Sequence, residues 1–216
     1  MAIAFGLTVS AQTVTISSRK VTYTRPKPIA DFKKTFTIDH PRVKASTPAL
    51  SRRIETLISH STVLGLDLKE ELNEIQWLEE ADFEVLYNQN GVLAIELRMN
   101  GTGAYPSGSE RTVVVDTRKG TRLTPSAVFR DLRGLSAMTD NALQKEIAAA
   151  IKAIASDPAN EEPDPRQLFE GKRFTIKDLD GFAVDETAVT FTYQYGFPHV
   201  IKALEPEGVF SFTWRE

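Results

Sequence analysis

The feature that most constrains this fold is a change of hydrophobic period at Trp77. Beyond it, apolar and polar residues alternate in two runs, over Phe83, Val85 and Tyr87 and then over Leu93, Ile95 and Leu97. The Asn90-Gly91 pair between the runs tolerates the positive φ angles of a tight turn, so the runs predict an antiparallel hairpin. A third apolar run at 112–116 extends the hairpin to an antiparallel meander.

Other segments carry helical signals. Thr47-Pro48 combines a hydroxyl cap with proline at the first helical position, and Asp67 marks a second start. The longest predicted helix covers 136–156, where Leu143, Ile147 and Ile154 share one face. Helices beside a meander predict an α+β fold class, with antiparallel β-sheets and helices packed on one face.

The remaining strands complete two similar strand-helix-hairpin halves. The first half is predicted to open with strands over 13–38, ending at a break in Asp39-His40-Pro41. In the second half, strands are predicted at Arg173–Ile176, at 182–184, at 189–195 and at the closing segment 209–214. We expect an N-terminal α+β half at 12–106 and a C-terminal α+β half at 107–216.

Residues 1–11 resemble the end of a secretory signal peptide. Ala2 to Val9 is apolar, and Val9-Ser10-Ala11 fits a small-residue cleavage site, although a basic n-region is missing. The alternative is a short first β-strand. No later segment approaches the roughly 18 apolar residues of a membrane helix, so we expect a periplasmic or secreted protein whose mature chain has no integral membrane segment.

Composition excludes several classes of function. The net charge of −3 gives no overall field that favours nucleic acid or an anionic membrane. The absence of cysteine excludes disulfides, thiolate catalysis and Cys-ligated zinc. His40, His60 and His199 follow no metal-ligand spacing, and no cofactor is predicted.

The stretch Gly101–Phe129 joins the two halves and holds the clearest candidate binding residues. Basic side chains cluster there and would suit an anionic polymer or an acidic partner, or form a solvated face with ion pairs: Arg111, Arg118, Lys119, Arg122, Arg130 and Arg133. Tyr105 lies in the loop before them. Tyr193, Tyr195, Phe197 and His199 end a later strand, where they would form either an aromatic contact surface or part of the core.

Two sets of side chains are of the types that carry hydrolytic catalysis. Ser107 and Ser109 lie in a Gly-rich loop, but no Gly-x-Ser-x-Gly elbow surrounds them, and a turn is the simpler interpretation. Glu79, Glu80, Asp82 and Glu84 are numerous enough for glycoside chemistry, but adjacent on one strand, so alternate members are expected to point to solvent.

Three segments resemble a bacterial extracytoplasmic domain family of unknown function, which includes the sensor region of the lysozyme-responsive anti-sigma factor RsiV and the non-catalytic region of the peptidoglycan deacetylase PdaC. They are Ala104-Tyr105-Pro106, the run Val113–Thr124 with Val128-Phe129, and the strands Phe191–Tyr195 and Val209–Trp214. The sequence departs from the family at Tyr105, where a histidine is usual, and in the loop Gly196–Gly208, which lacks a Tyr-x-x-Gly pattern.

The resemblance implies an exported, non-enzymatic binding module of the cell envelope that recognises a lysozyme-like protein or a cell-wall glycan. The expected ligand-binding residues are Tyr105, Arg111, Arg118, Lys119, Arg122, Tyr195, Phe197 and His199. Two alternatives stay open: a cell-envelope hydrolase that uses Ser107 or a carboxylate, and a structural interaction domain.

Overall fold

The computed structural model describes residues 14–30, 32–103, 105–157 and 164–213, with the backbone alone at His199. The predicted signal remnant at 1–11 lies outside these ranges. The chain is mixed α+β, as predicted, and forms two compact units that divide between Leu123 and Thr124. A strand at Pro106–Asp116 spans the boundary expected between residues 106 and 107, and it pairs along its length with the strand before it. Residues 107–116 therefore belong to the first unit.

In the described residues, the first unit has a six-stranded sheet and three helices. Its strands, in sheet order, are β1 (Thr15–Thr24), β2 (Thr35–Lys44), β3 (Leu78–Gln89), β4 (Val92–Thr102), β5 (Pro106–Asp116) and β6 (Thr121–Arg122). Its helices are α1 (Pro48–Leu57), α2 (His60–Leu64) and α3 (Leu68–Asn73). Neighbouring strands are antiparallel except β2 and β3, which pair in parallel at Thr37 with Glu80 and at Ile38 with Ala81.

The β3–β4 hairpin confirms the prediction from alternation. Asn90 and Gly91 both have positive φ, 55° and 80°, as a tight turn between right-twisted strands requires. One face of β4 is buried, and its residues Leu93 and Ile95 belong to the same core cluster as Ile54 of α1. Thr47 caps α1 by accepting a hydrogen bond from the Leu50 N–H. The predicted packing of helices on one face of the sheet is therefore present in this unit.

Strand β2 changes the face that it buries. Phe36 and Ile38 are buried in its first half, whereas Pro41 and Val43 are buried in its second half, although the register with β1 is continuous. The break predicted at Asp39-His40-Pro41 is therefore wrong. Pro41 is tolerated because β2 pairs with β3 only as far as Ile38, so no ladder bond on that side requires its missing N–H.

A buried arginine anchors the connection between β1 and β2. The Arg25 guanidinium donates to the carbonyl oxygens of Glu71 at 3.1 Å, Lys33 at 2.5 Å and Leu78 at 2.7 Å. It also lies 3.6 Å from the Glu71 carboxylate and above the ring of Phe36. Since an arginine is buried only when its donors are satisfied, this residue ties the connection to α3 and to the start of β3.

His60 occupies the point where β2 and β3 separate. The side chain is 3% exposed, and its Nε2 lies 2.8 Å from the Asp82 carbonyl oxygen. Because that oxygen accepts, Nε2 carries the proton. Nδ1 is then an acceptor, and it has no hydrogen-bond partner among the described residues. Burial lowers the pKa of His60, since a charged imidazolium would have to leave water.

The second unit begins with helices α4 (Pro125–Val128) and α5 (Leu132–Ser156). Its described residues also contain three 3-10 helices, at Pro165–Phe169, Ile176–Asp180 and His199–Leu204, and an antiparallel sheet of β7 (Phe182–Val184), β8 (Ala188–Thr192) and β9 (Val209–Thr213). The strand predicted at Arg173–Ile176 is wrong. The Phe174 N–H bonds to the Asp140 carboxylate on α5 at 2.9 Å instead of to a strand.

A loop from Gly196 to Gly208 joins β8 to β9 and is fixed at its base. Both end glycines have positive φ, 70° and 65°. The Glu146 carboxylate accepts from the Tyr195 hydroxyl at 2.5 Å and from the Gly208 N–H at 3.2 Å. At the far side of the loop, Val200 is 87% exposed. The loop is therefore held at both ends, and Val200 in the 3-10 helix between them is exposed.

Candidate functional site

The candidate site is the face of the six-stranded sheet opposite α1, where carboxylates from three adjacent strands meet. Residues directly opposite each other in a sheet share a face. Asp82, Arg98 and Glu110 form one such row across β3, β4 and β5, and Glu84 and Glu96 belong to the next. On β3 and β4 the sequence neighbours on the other face include the apolar residues Ala81, Phe83, Leu97 and Met99, whereas on β5 the neighbours of Glu110 are the exposed Ser109 and Arg111. We call the set Glu80, Asp82, Glu84, Glu96 and Glu110 the acidic face.

Arg98 sits at the centre of the acidic face and contacts three of its carboxylates. Its guanidinium lies 2.9 Å from Asp82, 3.4 Å from Glu84 and 3.7 Å from Glu96. The Asp82 hydrogen bond, with the surrounding negative charge, raises the pKa of Arg98. One cation is thus shared among three anions, and the cluster keeps a net negative charge.

The remaining carboxylates extend the negative charge to both sides of this cluster. Glu80 pairs with Lys20 of β1 at 3.1 Å, and both side chains are largely exposed. Glu110 on β5 has no ion-pair partner within the described ranges. Glu84 opposes Glu96 directly, although like charges in that position destabilise a sheet.

Burial, together with repulsion among these carboxylates, shifts the pKa of Glu96. Partial burial, and then the charge of Glu110 beside it, raise the pKa of this carboxyl. A cation brought to the acidic face would relieve this repulsion. No group of three or more ligating side chains able to hold a metal ion exists in the described part of the chain. Because the carboxylates are spread over three strands, the arrangement suits a spread, positively charged surface.

The basic residues expected to bind a ligand lie elsewhere in the first unit, and much of their bonding is local. Arg118 donates to the Asn90 carbonyl at 2.8 Å, and Lys119 lies 3.8 Å from Asp116. Arg111 is exposed on β5, and Arg122 is exposed on β6. Arg118 therefore links the turn between β5 and β6 to the turn between β3 and β4, and Lys119 pairs with a carboxylate of its own turn.

Tyr105 and Ser107 lie at the hairpin that joins β4 to β5. Tyr105 is 61% exposed, as a contact residue would be. The Ser107 hydroxyl accepts a hydrogen bond from the Trp77 indole N–H at 3.0 Å. A nucleophilic serine needs a base as its partner, and an indole N–H is a donor only. The described contacts of Ser107 are therefore structural.

Tyr195, Phe197 and His199 belong to the second unit. Tyr195 is 1% exposed and Phe197 is 8% exposed, and both rings pack edge-on or tilted against Phe169. Burial, and then the Glu146 carboxylate, raise the pKa of the Tyr195 hydroxyl. These two rings are core residues in the structure, which corrects their expected place on a contact surface. The backbone of His199 begins a 3-10 helix.

Sequence reasoning found part of the acidic face and missed its extent. The alternation on β3 predicts that alternate carboxylates point to solvent, but it does not join Glu96 and Glu110 to them. The Asn90-Gly91 turn alone would place Glu84 opposite Leu97. A bulge between Val85 and Tyr87 shifts the register by one residue and puts Glu84 opposite Glu96, and no local signal in the sequence marks that bulge.

Comparison with known proteins shows a fold but no family membership. No family model matches the sequence, and no curated protein matches it. A DUF3298 family protein from Pseudomonas aeruginosa PAO1 matches with a TM-score of 0.52 and 15% identity, over 93% of this chain and 89% of that one. A DUF3298 family member from Bacteroides fragilis NCTC 9343 matches with a TM-score of 0.51 and 13% identity, over 94% and 90%. At these identities the likeness concerns the fold alone: the chain folds like bacterial proteins of a domain family without an assigned function.

Proposed function

We propose that this chain is an exported, non-enzymatic binding module of the bacterial cell envelope that recognises a protein with a basic surface. The acidic face carries the proposal. Five carboxylates on three neighbouring strands surround one arginine, and the repulsion among them is relieved by cationic groups of a partner. A sheet face with charges spread over three strands suits the surface of a folded protein, because no deep pocket is needed for such contact.

The sequence resemblance to the RsiV sensor region and to PdaC supports the same proposal. RsiV responds to lysozyme, a basic protein, so hen egg-white lysozyme is a suitable probe. No comparable observation favours glycan recognition or a hydrolase that uses Ser107 or a carboxylate, and the described hydrogen bond of the Ser107 hydroxyl is with the Trp77 indole N–H. No helix in the described ranges is both long enough and apolar enough to cross a bilayer.

Retention on immobilised lysozyme tests the partner. We expect the variant E84Q/E110Q to lose at least tenfold in affinity, because it removes two negative charges from the acidic face. The matched control E74Q/E170Q makes the same change of charge at exposed positions outside that face. Equal affinity of the two variants would defeat the proposal, as would binding to peptidoglycan in preference to lysozyme.

Export is tested separately, by fractionating cells that express the native gene and sequencing the N-terminus of the mature chain. We expect the protein in the periplasm or medium, with Gln12 as its first residue. A mature protein that begins at Met1 and stays in the cytoplasm would contradict the export part of the proposal without touching the binding part.

A further inference from the structure

The outer edge of β5 carries backbone groups that β4 does not use. In an antiparallel ladder, the N–H and C=O of a residue point to the same side, and successive residues alternate. The Thr102 N–H donates to Trp77, on the β3 side of β4. Even-numbered residues of β4 therefore face β3, and odd-numbered ones face β5.

The same alternation fixes β5. The odd-numbered residues of β4 pair with Ser107, Ser109, Arg111 and Val113, so these direct their backbone groups inward. The even-numbered residues Gly108, Glu110, Thr112 and Val114 direct theirs outward. The hydrogen bond from the Leu123 N–H to the Val114 carbonyl, at 2.8 Å, confirms this assignment at the far end of the strand.

The outward groups of Gly108, Glu110 and Thr112 are open. β6 pairs with β5 only at Val115 and Asp116. Nothing in the described part of the chain bonds to the outward groups of these three residues. Residues 106–111 are exposed on both faces of the strand.

Proteins usually guard such an edge with lysine, proline or a bulge. The other edge of the sheet, β1, has Arg19 and Lys20 at its middle. On β5, Pro106 stands only at the start of the strand, and the register with β4 has no bulge. The open stretch carries two charged side chains, Glu110 on one face and Arg111 on the other, and it borders the acidic face because Glu110 belongs to both.

We propose that the edge of β5 from Gly108 to Thr112 accepts an extended segment of the basic partner as an added strand. Main-chain hydrogen bonds to Gly108, Glu110 and Thr112 hold the segment, and every second side chain of it reaches the acidic face. Lysine or arginine at those alternate positions meets Glu110 directly. On the opposite face the segment lies beside Ser109 and Arg111, which suits small hydroxyl or acidic side chains. This inference rests on the proposed function and specifies its mode of recognition.

Amide hydrogen exchange of the full chain tests the added strand, with the peptide acetyl-Lys-Thr-Lys-Thr-Lys-Thr-Lys-amide as the probe. We expect saturating peptide to slow exchange at least tenfold at the amides of Gly108, Glu110 and Thr112. Unchanged exchange at these three amides overturns the proposal, and so does protection confined to β1 at Ser18 and Lys20. Absence of any peptide binding at millimolar concentration also overturns it.

A proline variant gives a second, independent test. Thr112→Pro removes an outward N–H and leaves the ladder with β4 intact, because proline is tolerated on an edge strand. Thr112→Val keeps the N–H and serves as its control. We expect at least tenfold weaker peptide binding by T112P only. If T112P binds peptide and lysozyme as well as T112V does, while E84Q/E110Q loses lysozyme, the proposed function stands and the added strand is refuted.

Discussion

Gly196 and Gly208 have the same backbone conformation but different surroundings. Both have positive φ, which costs a residue with a Cβ about 1–2 kcal/mol. A Cβ at Gly196 would meet nothing within 4 Å, whereas one at Gly208 would press against the carbonyl oxygen of Tyr193. The two positions therefore separate the cost of conformation from the cost of a clash.

We expect Gly196→Ala to lower the free energy of unfolding by about 1–2 kcal/mol. Gly208→Ala should lower it by about 1–3 kcal/mol more, because a backbone carbonyl cannot move aside as a flexible side chain can. Urea denaturation of both variants measures the difference. Equal losses would mean that the Tyr193 carbonyl is free to shift.

His60 makes stability depend on pH. Its native pKa lies below the ordinary value of 6.5, so as pH falls the unfolded chain takes up a proton before the native protein does. Stability is therefore complete above about pH 6.5 and declines below it. Burial lowers the pKa of His40 as well, and this adds an effect of the same sign.

We expect the free energy of unfolding to fall from pH 7.5 to pH 5.5 in the natural protein. His60→Gln should fall less over the same range, because glutamine can still donate to the Asp82 carbonyl but does not titrate. Urea denaturation at several pH values provides the comparison. Parallel curves for the two proteins would rule out a contribution from His60.

At the scale of elements, Arg25 joins the β1–β2 connection to α3 and to the start of β3, which are 46 and 53 residues away in sequence. Its donors bond to carbonyls of the β1–β2 connection, of α3 and of the first residue of β3. Removing one partner of a buried ion pair leaves the other without compensation, at a cost of about 3–5 kcal/mol. An exposed pair contributes less than about 1 kcal/mol.

We therefore expect Arg25→Met to destabilise the first unit by about 3–5 kcal/mol, and Lys20→Met, which breaks the exposed pair with Glu80, to cost less than about 1 kcal/mol. Guanidinium denaturation monitored by tryptophan fluorescence makes the comparison. Similar small losses in both variants would show that Arg25 is not an anchor.

The elements that sequence predicted well are those with one dominant local signal. The β3–β4 hairpin has clear alternation and an Asn-Gly turn, and α1 has a hydroxyl cap followed by proline. β2 was broken at Pro41 in the prediction because proline ordinarily ends a paired strand. The lack of a β3 partner beyond Ile38 depends on tertiary structure, and no pattern within β2 reveals it. The missing strand at Arg173 has the same cause, since the Asp140 carboxylate competes for its backbone.

At the scale of the whole molecule, the distribution of charge carries more information than the total. The net charge is −3, yet five carboxylates share one sheet face. The composition excludes a strong overall electrostatic field but does not show where on the surface the charges lie. Locating the candidate site required the register across β3, β4 and β5, which fixes which charges are neighbours. For Tyr195 and Phe197, the sequence allowed either a contact surface or a place in the core. Tertiary packing decides between the two, and both rings are buried.

A local cluster of charge should act mainly on the rate of association. Raising the ionic strength from about 0.05 M to about 0.5 M shortens the screening length severalfold. We expect the association rate constant with lysozyme to fall at least tenfold and the dissociation rate constant to change much less. Stopped-flow mixing measures both constants. An association rate that is insensitive to salt would argue against electrostatic steering by the acidic face.

The fixed base of the loop Gly196–Gly208 has a practical consequence. Insertions are tolerated where the affected backbone is exposed and not bonded to the core. Val200 meets the first condition at 87% exposure, and the hydrogen bonds of Glu146 that close the loop involve Tyr195 and Gly208 at its base. Val200 lies within the 3-10 helix His199–Leu204, whose described backbone hydrogen bonds are local, so an insertion after Val200 would interrupt that helix. A foreign epitope or reporter peptide exchanged for the whole helix would be displayed at a closed, defined position, which makes this small chain usable as a presentation scaffold.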